Sequence, residues 1–203
     1  KFGVAGPETH PAAAGMKKFA EAVAAKSGGK MKVNLFYNSS LGTDQAVVSA
    51  IKGGTVEMAV MNSGILASEA KELAIFDFPF LFANEKESDA VVDGPLGKKL
   101  HSKLEEKGII GLSYWELGYR QMTNSKRPLN KVEDIDGLKL RVIPNPINVD
   151  WVKALGANPT PMPFPEVYGG MEQKAIDGQE NPVAVIASSK FYEVQKHIVL
   201  SNH

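Results

Sequence analysis

Arg141 interrupts an apolar, strand-like run, Leu138 to Ile143, within GLKLRVIPNP. A guanidinium keeps its charge, so burying one demands an anion or several acceptors. Between Gly137 and Pro144 this arginine is a candidate carboxylate receptor. A structural pairing with a nearby Asp or Glu explains it equally, and without further context is the commoner outcome. Arg120, in GYRQMTNSKRP, is a second cation, read either as a cleft residue or as a solvated surface arginine. Asn181 precedes Pro182, which favours an extended backbone; its amide both donates and accepts, as a carboxylate or hydroxyl ligand needs. A helix N-cap explains Asn181 as well. Phe164 follows the proline-rich PTPMPFP and fits either core packing or contact with a ligand's carbon skeleton. Asn62 ends the run Val56 to Met61, and ligands gather at strand ends in open α/β folds. His10, in PETHP, stands at a helix start; Asn62 and His10 serve equally as caps. Trp115 and Glu116 close the run from Ile109, the tryptophan reading as core and the glutamate as ambiguous.

Catalytic patterns are scarce. The sequence has no GxSxG, HExxH, P-loop or GxGxxG motif. Asp177 and Glu180 in IDGQENP are a possible acid–base pair, although such turn residues more often cap or anchor. The histidines, His10, His101, His197 and His203, share no metal-ligand spacing. With no cysteine there is no thiolate catalysis, disulfide or Cys-ligated zinc. No catalytic residue, metal or cofactor is expected. The 23 basic and 23 acidic residues cancel, which argues against nucleic acid or an anionic membrane as main partner. At 203 residues and 43% hydrophobic content the chain can bury a sizeable core in one large or two small domains. No apolar run is long enough for a membrane span. The opening Lys1-Phe2-Gly3-Val4-Ala5 reads as a first strand, with an expectation that a leader has been removed.

The elements that must position these residues alternate between strand and helix. Helices are predicted over 11–26, with Pro11 in the first turn and Gly28-Gly29 beyond the end, and over 44–52 before Gly53-Gly54. Asn84 with Glu87 predicts a capping-box start, and a further helix follows over 95–107. Strands are predicted over 2–5, 33–37, 56–61 and 109–115. A second set follows: strand 138–143, helix 146–155, a helical stretch over 165–174, a short helix over 182–189 and a strand over 197–201. This alternation predicts an α/β fold with largely parallel sheets. GYRQMTNSKRP carries too few apolar residues for a core strand and reads as a crossing segment.

GMKKFAE, SSLGTDQAVVSAIKGGTVEMA, FDFPFLF, GYRQMTNSKRP, GLKLRV, ALGANPTPMPF, EVY and DGQENP, in this order, resemble the solute-binding proteins of tripartite ATP-independent periplasmic (TRAP) transporters, the DctP-type organic-acid receptors. The resemblance covers nearly the whole chain. It implies a two-lobed, periplasmic-binding-protein-like α/β fold with a ligand cleft between lobes, of which a C-terminal portion is missing here. Lobe I is expected over 1–118 and lobe II over 119–203, with crossings near 117–124 and 197–203. It implies that Arg141 makes a two-pronged salt bridge to the ligand carboxylate, that Arg120 adds a second cation, and that Phe164 lines the cleft. Asn181, Asn62, His10 and Glu116 are its further candidate contacts. Sialic-acid-binding members carry an acidic residue where Asn62 aligns, so the neutral side chain disfavours an amino-sugar acid. The implied function is periplasmic capture of a C4-dicarboxylate, a small oxo or hydroxy acid, or a sugar acid, for delivery to TRAP permease membrane subunits. The rivals are an α/β enzyme acting on an acidic substrate and an organic-acid sensor domain of the same fold.

Overall fold

Three short parallel strands begin the molecule, a computed structural model that describes residues 1–203. β1 (Phe2–Val4) lies between β2 (Leu35–Phe36) and β3 (Met58–Val60). The crossovers are α1 (Pro11–Lys26) and α2 (Asp44–Lys52), as parallel strands require. Pro11 occupies the first turn of α1 because that turn leaves its N–H groups unpaired anyway. Thr43 caps α2, its hydroxyl accepting from the Ala46 amide. Phe2, Val4 and Met16 bury the face between β1 and α1.

Two 3-10 segments, Ser63–Ser68 and Lys71–Asp77, lead to α3 (Glu85–Val92) and α4 (Pro95–Glu105). Asn84 caps α3, accepting from the Glu87 amide at 3.1 Å, but the capping box is not closed: the Glu87 carboxylate accepts from the Ala83 amide at 3.1 Å, one residue before the cap. Leu73, Leu100, Leu104 and Ile109 form a core that also receives Ile143 from the second half of the chain.

The second sheet has five strands: β4 (Arg120–Asn124), β5 (Lys139–Val142), β6 (Asn158–Pro161), β7 (Gly178–Pro182) and β8 (His197–Val199). Their order is β6-β5-β7-β4-β8. β5 runs parallel to β6 and β7, while β4 is antiparallel to β7 and β8. The sheet is therefore mixed rather than largely parallel. α5 (Pro146–Ala154), α6 (Val167–Glu172) and α7 (Val183–Ser188) cover it. Met122, Leu138, Leu140, Val142 and Val152 form one core cluster; Val167, Met171, Ile176, Ile186 and Phe191 form another. No helix is long and apolar enough to cross a membrane.

Several elements differ from the sequence expectation. Residues 120–124, read as too polar for a core strand, are a buried inner strand. Their polar groups are satisfied inside: Gln121 donates to Asn202, Thr123 donates to Gln195, and Asn124 accepts from the amides of Lys126 and Arg127. IDGQENP, read as a turn, supplies the fully buried β7. Gly178 is required there, since a Cβ would strike the Thr123 carbonyl oxygen. Residues 109–115 are not a strand: they pair with no other strand, and Ile110 and Leu112 are exposed. Trp115, expected in the core, is 39% exposed, its ring edge against Phe2. β6 was not anticipated because Pro159 and Pro161 argue against a strand; both are tolerated because β6 is an edge.

Candidate functional site

Arg141 is the third residue of β5, opposite Thr160 of β6. Strand alternation turns it to the face opposite Leu140 and Val142. It is 3% exposed. Its Nε donates to the Met162 carbonyl at 2.9 Å, and its Cζ lies 6.0 Å from the Phe164 ring centroid. No carboxylate lies within ion-pair distance of it. Burial pushes its pKa down to about 10; Glu180 and Asp44 push it back up, and Arg120 adds to the fall. It is a cation at neutral pH, and the protein itself supplies little to compensate it.

Arg120 opens β4 beside β7, opposite Pro182. Its Nε pairs with the Glu180 carboxylate, and one Nη donates to Glu180 Oε1 at 3.0 Å. The same Nη donates to the Glu180 carbonyl at 2.7 Å and to Asn181 Oδ1 at 3.2 Å. Glu180 is 1% exposed, and His203 Nε2 lies 3.6 Å from it. Burial alone would raise the Glu180 carboxyl; Arg120 and His203 outweigh this and hold it at about 2. Asn181 Nδ2 donates to Gln179 Oε1 at 2.6 Å, and Gln179 Nε2 donates to the Thr123 hydroxyl at 3.0 Å. The Asn181 amide is thus oriented by its own strand and by Arg120.

The remaining candidates spread over the first half. Asn62 caps the 3-10 segment at Ser63, accepting from the Gly64 amide at 2.9 Å. With Asp77, Arg120, Trp151, Glu180 and His203 it lines a cavity of about 350 Å3. His10 caps α1, its Nδ1 accepting from the Ala12 amide at 3.2 Å; burial lowers its pKa. Glu116 is exposed, and its carboxyl is raised by burial and by Glu85 and Asp89, so its charged neighbours lie on α3 rather than at the arginines. Asp177 and Glu180 do not act as a pair: Asp177 accepts from the Lys139 amide at 2.9 Å and faces Lys126, while Glu180 serves Arg120.

Sequence reasoning missed Asp44, Asp77 and His203, and read Glu180 only as a possible partner of Asp177 or a turn anchor. Asp44 begins α2 and is coupled electrostatically to Arg141. Asp77 accepts from Asn148 at 3.1 Å through one oxygen, while the other is buried without a partner; burial raises its carboxyl. No local pattern marks these four, since their partners come from distant strands. The two halves also meet on both sides of the site. Thr9 donates to the Ser188 carbonyl at 3.2 Å, Asn148 to Asp77, and Asn145 to the Gly64 carbonyl at 3.5 Å.

The family model described as bacterial extracellular solute-binding protein, family 7 (DctP) matches residues 2–203. Among solved structures, the sugar acid binding protein DctPAm of Advenella mimigardefordensis in complex with galactonate is 47% identical, with a TM-score of 0.98 over 100% of this chain and 65% of that one. A TRAP periplasmic solute binding protein of Polaromonas sp. JS666 bound to D-erythronate is 38% identical, with a TM-score of 0.97 over 100% of this chain and 67% of that one. The 2,3-diketo-L-gulonate-binding periplasmic protein YiaO of Escherichia coli K12 is 40% identical over 203 residues, 100% of this chain and 62% of its own length. The chain thus spans somewhat under two thirds of that curated relative.

Proposed function

The chain belongs to the DctP family of bacterial extracellular solute-binding proteins, family 7, and on that premise we propose that the protein captures a carboxylate-bearing organic acid in the periplasm for a TRAP-type permease. Arg141 carries this reading. It is a buried guanidinium with one carbonyl acceptor and no carboxylate, and a ligand carboxylate would supply the missing charge and acceptors. Phe164 packs beside it and offers an apolar face to the ligand's carbon chain. Asn181 orients the acid end. Arg120, already paired with Glu180, adds positive potential more than a free donor fork.

The lobes are 1–118 and 119–203, and the segments near 117–124 and 197–203 cross between them. The backbones of Arg120 and His203 hydrogen-bond to each other, which ties the two crossings together. Closure brings Thr9 to Ser188 and Asp77 to Asn148, so a ligand is enclosed from both sides. A removed leader peptide would account for the periplasmic location. Similar proteins carry galactonate, D-erythronate and, in a Sulfurospirillum deleyianum protein 34% identical, succinate. Acids of these kinds are the candidates here.

The test is a thermal-shift screen of the full-length protein against an organic-acid panel, followed by titration of Arg141→Lys. Lysine keeps the charge and loses the planar fork, so the best acid should bind more weakly by roughly 1.5–3 kcal/mol. Unchanged affinity would remove Arg141 from the site.

A further inference from the structure

The two halves of the chain meet around Asp77, the last residue of the 3-10 segment Lys71–Asp77. Asn148 of α5 donates from Nδ2 to Asp77 Oδ1 at 3.1 Å, and the Trp151 indole donates to Asn148 Oδ1 at 3.1 Å. The indole thereby holds the Asn148 amide with its NH2 toward Asp77. That donor serves a carboxylate and a neutral carboxylic acid alike. Asn145, the cap of α5, donates to the Gly64 carbonyl at 3.5 Å. A Cβ at Gly64 would strike both Asp77 Oδ2 and the Asn145 amide, so only glycine lets the halves approach this closely. Asp77 Oδ2 is buried and has no partner. The charged groups that act on Asp77 are Arg120 of β4 and Glu180 of β7, and His203 lines the same cavity. From α5 it meets only amides and the indole.

We propose that Asp77 is a proton-operated latch: bringing the halves together seals it against Asn145 and Asn148, and the closed form takes up a proton there. This rests on the proposed capture of an acid by closure of the two halves. In an open form both oxygens of Asp77 are hydrated. On closing, Oδ1 gains the Asn148 amide, while Oδ2 loses water and gains nothing. A desolvated carboxylate oxygen is costly, and a proton removes the charge while keeping the bond from Asn148. Burial accordingly raises the Asp77 carboxyl; Asn148, Arg120 and Asn145 pull it down, Glu180 pushes it up, and the net shift is upward from 3.8. Closing therefore binds protons between 3.8 and the higher closed-state value, and an acid ligand is held more tightly as pH falls through that value. A ligand carboxylate at Arg141 alone gives the opposite trend, because protonating the ligand removes the charge that Arg141 receives.

The experiment is calorimetric titration of the full-length protein with galactonate and D-erythronate, from about pH 5 to about pH 8, where both acids are ionised. Each titration is repeated in a second buffer of different ionisation enthalpy, which counts the protons taken up on binding. Wild type should take up a fraction of a proton and bind more tightly as pH falls, by at most about tenfold per unit. Asp77→Asn keeps an acceptor for Asn148 and does not titrate. It should take up fewer protons than wild type and bind at least as tightly at the alkaline end. Asp44 and His10, whose shifted groups also titrate, are common to both proteins, so the difference reports Asp77 alone. Asp77→Ala loses the bond to Asn148 and should weaken both acids roughly 2–10-fold at every pH. Arg141→Lys should weaken binding at every pH and leave the protons counted per bound acid unchanged, which separates failure of the anchor from failure of the latch. Equal proton uptake in wild type and Asp77→Asn would overturn the latch and leave capture standing. So would Asp77→Asn binding far more weakly than wild type at the alkaline end, since Asp77 would then be needed as a charge. If neither acid binds, the latch falls, and a wider acid panel decides whether capture falls with it.

Discussion

The two arginines of the five-stranded sheet sit on strands separated by β7 and live in opposite circumstances. Arg120 is matched by Glu180 through side-chain and backbone acceptors, with Asn181 and His203 completing the corner. Arg141 is more deeply buried and has a single carbonyl. The first corner is complete without a ligand. The second holds an uncompensated cation, whose charge acts at longer range on the Asp44 carboxyl in the other half of the chain. Under the proposed function, stability and binding fall to different arginines: one ion pair braces the sheet, and the other cation is kept unpaired for an anion.

The largest test of that contrast is Glu180→Ala. It leaves Arg120 without its buried counter-charge and should cost about 3–5 kcal/mol, read from denaturant midpoints. A loss below 1 kcal/mol would mean that the corner does not brace the sheet. The same group has a pH signature. Its folded pKa lies near 2, below the usual 4.5, so the folded state binds fewer protons than the unfolded one. Its contribution is full above about 4.5 and is lost as pH falls toward 2.

Asp44 should show the reverse dependence. Its folded pKa lies near 6, above the usual 3.8, so its folded state holds the proton more tightly. The associated stability is full below 3.8 and is lost as pH rises through about 6. The loss should be on the order of 2 kcal/mol in ligand-free protein, and Asp44→Asn should flatten it. Equal slopes for parent and variant would show that Asp44 is already compensated.

Arg141→Met should do what Glu180→Ala does not. Removing an unpaired buried charge should raise ligand-free stability by about 1 kcal/mol while abolishing acid binding. A destabilised variant would place Arg141 in the same class as Arg120. The smallest effect belongs to the contact between halves. Thr9→Ala removes one exposed hydrogen bond to Ser188 and should shift closure by roughly 0.5–1 kcal/mol, seen in small-angle scattering at subsaturating acid.

What the sequence determined alone was mostly local. The bounds of α1 and α2 follow from proline and glycine punctuation, and the helix start at Asn84 from its three-residue spacing to Glu87. An arginine inside an apolar run marked Arg141 as costly to bury before any partner was known. β4 and β7 were misread because a strand is recognised by its apolar alternation, whereas these bury amides, a hydroxyl and a carboxylate that satisfy one another across the ladder. The pairing of Arg120 with a residue 60 positions away depends on strand register, which no local pattern encodes. The electrostatic influence of Arg141 on Asp44 depends on how the two halves of the chain come together. A side chain's own sequence states its charge and its secondary structure; which charge stands opposite is decided by the tertiary fold, because Coulomb energy depends on distance in space and not along the chain.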